Sequence, residues 1–117
     1  MRSKQPGVKA SIEEYNVRII RLPSNGVALS ESWYVGTKQH REGDLPAHVE
    51  RDVETGLPVF EVWYKNNLLD RSNGPAVIRR HPDTGRITFS EWYREGVKIS
   101  PPKGYRPNKL SRPTPGP

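Results

Sequence analysis

The 117-residue chain contains no cysteine. That excludes disulfide staples and thiolate metal sites together, and fits a reducing compartment. It has no apolar run near the roughly 18 residues that a membrane span requires. Its opening "MRSKQPGVKA" is charged, with no hydrophobic stretch after it, unlike a secretory signal. The chain therefore reads as soluble and cytoplasmic, with no membrane partner. Apolar residues are also scarce, at 32%, which suits one modest core and no second domain. A helical apolar period is missing throughout; only "SIEEYNVRII" (11–20) offers the start of a short helix.

Recognisable chemistry is equally thin. There is no phosphate loop, no cysteine nucleophile and no serine–histidine–aspartate set that spacing alone picks out. His40, His48 and His81 fall in unrelated positions and share no metal-ligand spacing, so they read as surface or pairing residues. The carboxylate pairs Glu13–Glu14 and Asp52–Glu54 sit in turn or strand-edge contexts. The expectation is a protein that is not an enzyme and uses no metal or cofactor.

What the sequence has instead is a phrase written three times: "GVALSESWY" (26–34), "GLPVFEVWY" (56–64) and "GRITFSEWY" (85–93). Gly26, Gly56 and Gly85 each precede a tryptophan (Trp33, Trp63, Trp92) by seven positions, and Arg21, Arg51 and Arg80 precede those glycines by five. A period of about 30 residues marks a repeat architecture, here about two and a half units. Each unit reads as a β-hairpin. "HPDTGR" and "LPSNGV" carry proline, Asx and glycine turn chemistry, flanked by β-branched and aromatic residues. "VGT", "KNN" and "REG" after the Trp-Tyr pairs signal a second reversal. The expected fold is all-β: a single-layer antiparallel meander of about six strands, with turns at 23–26, 53–56 and 82–85.

The charge of +6 is unevenly placed. Residues 1–10 hold three cations and residues 101–117 four, with no acid in either. Residues 11–100 hold twelve cations against thirteen acids, a balance of −1. The division expected is therefore a basic disordered N-terminus (1–10), a repeat domain (11–100) and a proline-rich basic tail (101–117). That tail is either solvated or laid on a partner's acidic or nucleic-acid surface.

Within the repeat, Trp33, Trp63 and Trp92 read as structural, stacked across strands, with Gly26, Gly56 and Gly85 as structural turn residues. Counting by twos from tryptophan puts Val27, Leu29, Leu57 and Val59 on its face; Phe60, Phe89 and the tyrosines Tyr34, Tyr64 and Tyr93 fall opposite. Those five aromatics and the arginine column, Arg21, Arg51 and Arg80, are the candidate partner-binding residues. The arginines either pair with Glu31 and Glu61 within each unit or grip phosphates or an acidic protein surface.

The pattern W-Y-x-x-G/N, then H-R or D-R, then G-P-A, resembles the MORN-like repeat proteins in their bacterial and phage variant. It is carried by "WYVGTKQHREGDLPA" and "WYKNNLLDRSNGPA", with "WYREGVKIS" truncated. The first linker has an extra residue and lacks the Gly-Pro step, and Asp70 stands where the first unit has His40. The resemblance implies hairpin sheets serving as scaffolds or binding surfaces without catalytic residues. Two functions follow as expectations. One is a protein-binding module, forming a homodimer or engaging another protein, of the kind with which a phage or mobile element blocks a host nucleic-acid-processing complex, anti-CRISPR inhibitors included. The other is direct nucleic-acid binding through the basic tails and the arginine column.

Overall fold

A computed structural model describes residue 10 and residues 12–109. Ten strands follow in chain order: β1 (Asn16–Arg21), β2 (Ala28–Val35), β3 (Lys38–Gln39), β4 (His48–Arg51), β5 (Pro58–Val62), β6 (Tyr64–Lys65), β7 (Leu68–Leu69), β8 (Val77–Arg80), β9 (Ile87–Arg94) and β10 (Val97–Ile99). All pairings are antiparallel. The main sheet runs β1-β2-β4-β5-β8-β9-β10, with β3 on the far end of β2, and β6-β7 form a separate hairpin. The expected meander is present. The strands beyond the expected six are short arms of the second reversal. Among the described residues there is no helix, so the short helix expected at 11–20 does not form there. β-branched Val17, Ile19 and Ile20 instead pair with β2.

The three main turns share one geometry. Leu22, Asp52 and His81 donate to the carbonyls of Val27, Leu57 and Arg86 at 2.8–2.9 Å, and Gly26, Gly56 and Gly85 donate back at 2.9–3.0 Å. Each glycine has φ of +74° to +76°, a conformation that costs an L-residue about 1 kcal/mol or more. The second reversals are tighter. Asn66-Asn67 and Glu95-Gly96 both hold positive φ, the type I′ signature that matches strand twist.

Each main hairpin carries a bulge, at Ile20/Arg21, Glu50/Arg51 and Arg79/Arg80. It sets Arg21, Arg51 and Arg80 opposite Ala28, Pro58 and Ile87. The count by twos therefore fails beyond Leu29 and Val59: the extra residue shifts everything before it, Val27 and Leu57 included.

The core is small: Ala47, Val49, Val62, Trp63, Ala76 and Ile78. Its centre is Trp63, Ala76 and Ile78, against which Ile87 and Tyr93 pack. Successive units are stitched at the second reversal. Asn66 donates its N–H to His40 Nδ1 at 3.1 Å, and Glu95 donates its N–H to Asp70 Oδ1 at 3.2 Å. The replacement of His40 by Asp70 thus preserves one acceptor for the next turn.

The proline-rich stretch, expected to be disordered, is in its first half fixed against the sheet. Tyr105 meets Trp92 edge-on at 5.2 Å. The Asn108 side chain accepts from the Ile87 N–H at 2.6 Å and donates to its carbonyl at 2.9 Å. One amide side chain there satisfies both backbone groups that a further strand would pair. Residues 110–117 and 1–9 lie outside the described residues, as does most of the expected N-terminal segment.

Candidate functional site

Register assigns the candidate residues to two faces. Phe60 pairs with Arg79 and Arg79 with Phe89, so these three side chains adjoin on one face. Glu31 pairs with Val49 and Glu61 with Ile78, which belong with the tryptophans on the other. The five aromatics and three arginines expected to act together are thereby separated. Arg21, Arg51 and Arg80 lie on the tryptophan face, and the arginine beside the phenylalanines is Arg79.

On the phenylalanine face, the Arg79 guanidinium lies 4.3 Å from the Phe60 ring centre. His48 approaches the same ring edge-on at 6.0 Å. Phe89 is 43% exposed, and Ile20 at the end of the same row is 54% exposed. Glu50 stands opposite Phe60 on its other side, and Arg79 is the charge between the two phenylalanines. The row is therefore aromatic, with one charge of each sign. The tyrosines are not part of it as an open surface. Tyr34, Tyr64 and Tyr93 are all half-buried, and Tyr93 packs into the core.

On the tryptophan face the arginines are engaged. Arg51 meets Glu31 at 2.7 Å and Arg80 meets Glu61 at 2.7 Å. These pairs join consecutive units; the pairing expected within a unit is instead a bond between units. Burial, the largest influence on the Glu31 carboxyl, pushes its pKa up. Hydrogen bonds from Trp33 and Arg51, with the Arg51 charge, outweigh it and leave the group below its ordinary value. Ser90 occupies the equivalent position in the last unit, after which no arginine-bearing strand follows among the described residues.

A second pair of arginines, missed from the sequence, covers the tryptophans. Arg41 lies 3.7 Å over Trp33 and Arg71 3.8 Å over Trp63. Arg71 also grips the Asp44 carboxylate at 2.8 and 3.3 Å, and this hydrogen bonding holds the Asp44 pKa below its usual value. The signal was available: both arginines stand eight residues after their tryptophans.

Histidines serve local roles. His81 Nδ1 accepts the Asp83 N–H at 3.1 Å. His48 lies between Ser32 Oγ at 2.8 Å and Glu50 at 2.9 Å. That is a nucleophile–base–acid order that only the strand register could reveal. Ser32 is buried at mid-strand, paired with Arg18 and His48. Strand backbone committed to the ladder provides no loop amides for an oxyanion hole, so the relay reads as a satisfied polar row. Among the described residues no three His, Asp or Glu side chains gather as a metal site, and no helix is long and apolar enough to cross a membrane. The chain matches no known family model, curated protein or solved structure.

Proposed function

We propose that the protein is a non-enzymatic protein-binding module whose contact surface is the Phe60–Arg79–Phe89 patch. The observation that carries this reading is an arginine flanked by two aromatic rings on an exposed sheet face. Aromatic and arginine side chains dominate binding energy at protein interfaces. The glutamate pairing of Arg51 and Arg80 favours a protein partner over nucleic acid, because it withdraws two column cations from phosphate contact. For the partner class, a host nucleic-acid-processing complex blocked by a phage or mobile-element factor, the support is the resemblance alone.

The test is affinity capture from a host lysate with the native chain and with Phe89→Ala and Arg79→Ala. A protein retained through 0.5 M salt, on the order of the strongest screening ordinarily used, and lost from both variants supports the reading. Capture of nucleic acid alone, released log-linearly by salt, selects the alternative instead.

A further inference from the structure

We infer that the open edge of β1 is a docking site for an antiparallel strand of another protein that carries a carboxylate opposite Ile19. This surface is distinct from the phenylalanine patch, and the inference stands independently of that reading.

The molecule shows twice what a completed edge looks like. β4 and β8 are the first strands of their main hairpins, and each is flanked on its other side by a strand of the preceding unit. That strand sets Glu31 opposite Val49, or Glu61 opposite Ile78, and the carboxylate reaches the arginine two residues further on at 2.7 Å. β1 is the same kind of strand, with the same turn, bulge and arginine. Arg21 Nη1 holds the Gly26 carbonyl at 3.1 Å, as Arg80 Nη1 holds that of Gly85 at 3.0 Å. What differs is the outer side. Among the described residues no strand lies beyond β1 and no carboxylate pairs with Arg21. Val49 and Ile78 are 4% and 3% exposed, while Ile19, in the same column, is 43% exposed.

Charge decides the occupant. Among the described residues a second copy has three stretches of sheet edge to offer: β1 with two arginines, β10 with one lysine, and the part of β9 before Trp92. In β9, Ser90 stands in the place of Glu31 and Glu61, and Glu91 lies on the opposite face, so none of the three sets an acid in the column that meets Arg21. Residues 1–9 contain none either. Juxtaposed β1 strands would repel, so the complementary strand belongs to a different protein, with an acid flanked by apolar or small residues. Backbone pairing gives such β-addition its affinity, and the carboxylate fixes its register.

The chain's own acid-bearing strand is the probe. A labelled synthetic peptide LPVFEVWYK, the sequence of 57–65, is titrated into the full chain by fluorescence anisotropy and by amide chemical shifts. Binding is expected, with shifts centred on 17–21. Glu→Gln in the peptide and Arg21→Gln in the chain should each weaken it about five-fold, the upper scale of one solvent-exposed ion pair. Combined, they should weaken it little more than either alone. Arg21 is exposed, and unchanged circular dichroism would show that its variant folds. Absence of binding, affinity indifferent to both substitutions, shifts mapping to Phe60 and Phe89, or a self-dimer that blocks the peptide would each overturn the inference. Loss of the phenylalanine patch by Phe89→Ala should leave peptide affinity unchanged.

Discussion

Trp63 and Trp92 stand at the same point of the repeated phrase, yet they live in different surroundings. Trp63 is 6% exposed, donates its Nε1–H to the Asp44 carbonyl at 3.2 Å and lies under Arg71. Trp92 has Ser100 where the others have arginine. Its buried Nε1 finds no acceptor among the described residues, and Tyr105 meets its ring edge-on. The interior tryptophan is completed by its neighbours on both sides, the terminal one by the tail. Stability in such a ladder sums what each unit contributes and what each junction with its neighbour adds.

The sharpest way to break this comparison is truncation of each ring. Trp63→Ala should destabilise by about 3–5 kcal/mol, the range for a large buried side chain. Trp92→Ala should lose about 2 kcal/mol less, since its ring is only half-buried and its polar atom unpaired. Urea midpoints of the two variants measure the difference. Equal losses would mean that the junction does not distinguish them.

The junction can also be disturbed without touching a tryptophan. A Cβ on Gly74 would lie 2.8 Å from Arg71 Nη1 and 2.9 Å from its Cζ. That guanidinium is held by Trp63, Asp44 and the Pro75 carbonyl at 3.1 Å, so it cannot swing away freely. Gly74→Ala should therefore cost about 2 kcal/mol, as overpacking does. Gly43→Ala, in the first linker, meets only the Leu45 side chain at 3.9 Å. Its cost comes from its φ of +77° instead, about 1 kcal/mol. A Gly74→Ala chain as stable as the native one would show that Arg71 is not fixed.

Much of this architecture was legible because turns and alternation are local. The Pro-Asp-Thr-Gly and Trp-Tyr phrases located every main reversal. Faces were harder, since cross-strand register is invisible in spacing. Arg21, Arg51 and Arg80 share the tryptophan face with Ile19, Val49 and Ile78, and Arg79 is the arginine that meets Phe60 and Phe89. The bulge displaces only residues such as Val27 and Leu57. The pairing of Arg51 with Glu31 and Arg80 with Glu61 was legible as chemistry. Its direction, between units, depended on which strands become neighbours. The docking of Tyr105 and Asn108 was not legible at all. Composition describes a proline-rich stretch on average, whereas two side chains suffice to fix it. Tyr15 met the same fate at the other end, edge-on to Trp33 at 5.3 Å.

Acid should separate the junctions by titration. Glu31 and Asp44 both have lowered pKa values in the folded chain. A carboxylate lowered on folding contributes stability that is complete above its unfolded pKa, near about 4. That stability is lost as pH falls through the lower folded value. Stability should therefore fall below about pH 4, and Glu31→Gln should flatten the fall while costing about 1 kcal/mol at neutral pH. Urea melts at pH 7 and pH 3 check both; an unchanged slope would exclude Glu31 as a contributor.

The smallest effect is expected at the C-terminal end, and it should be local. Asn108 satisfies the Ile87 N–H and carbonyl, and Ile87 packs against the Trp63 cluster. Its loss exposes one backbone pair to water while removing no core side chain. Because water can replace those bonds at an exposed edge, Asn108→Ala should lower global stability by under about 1 kcal/mol. Among the described residues, however, the Ile87 amide has no other acceptor on that side of β9, since β10 pairs only with Trp92–Arg94. Its hydrogen exchange should accelerate about ten-fold, the response of a site that opens locally rather than globally. Amides of β4 and β5 should keep their native rates. Acceleration spread evenly over the sheet would mean that the tail supports the whole ladder, and that its two ends are less independent than the contrast between Trp63 and Trp92 implies.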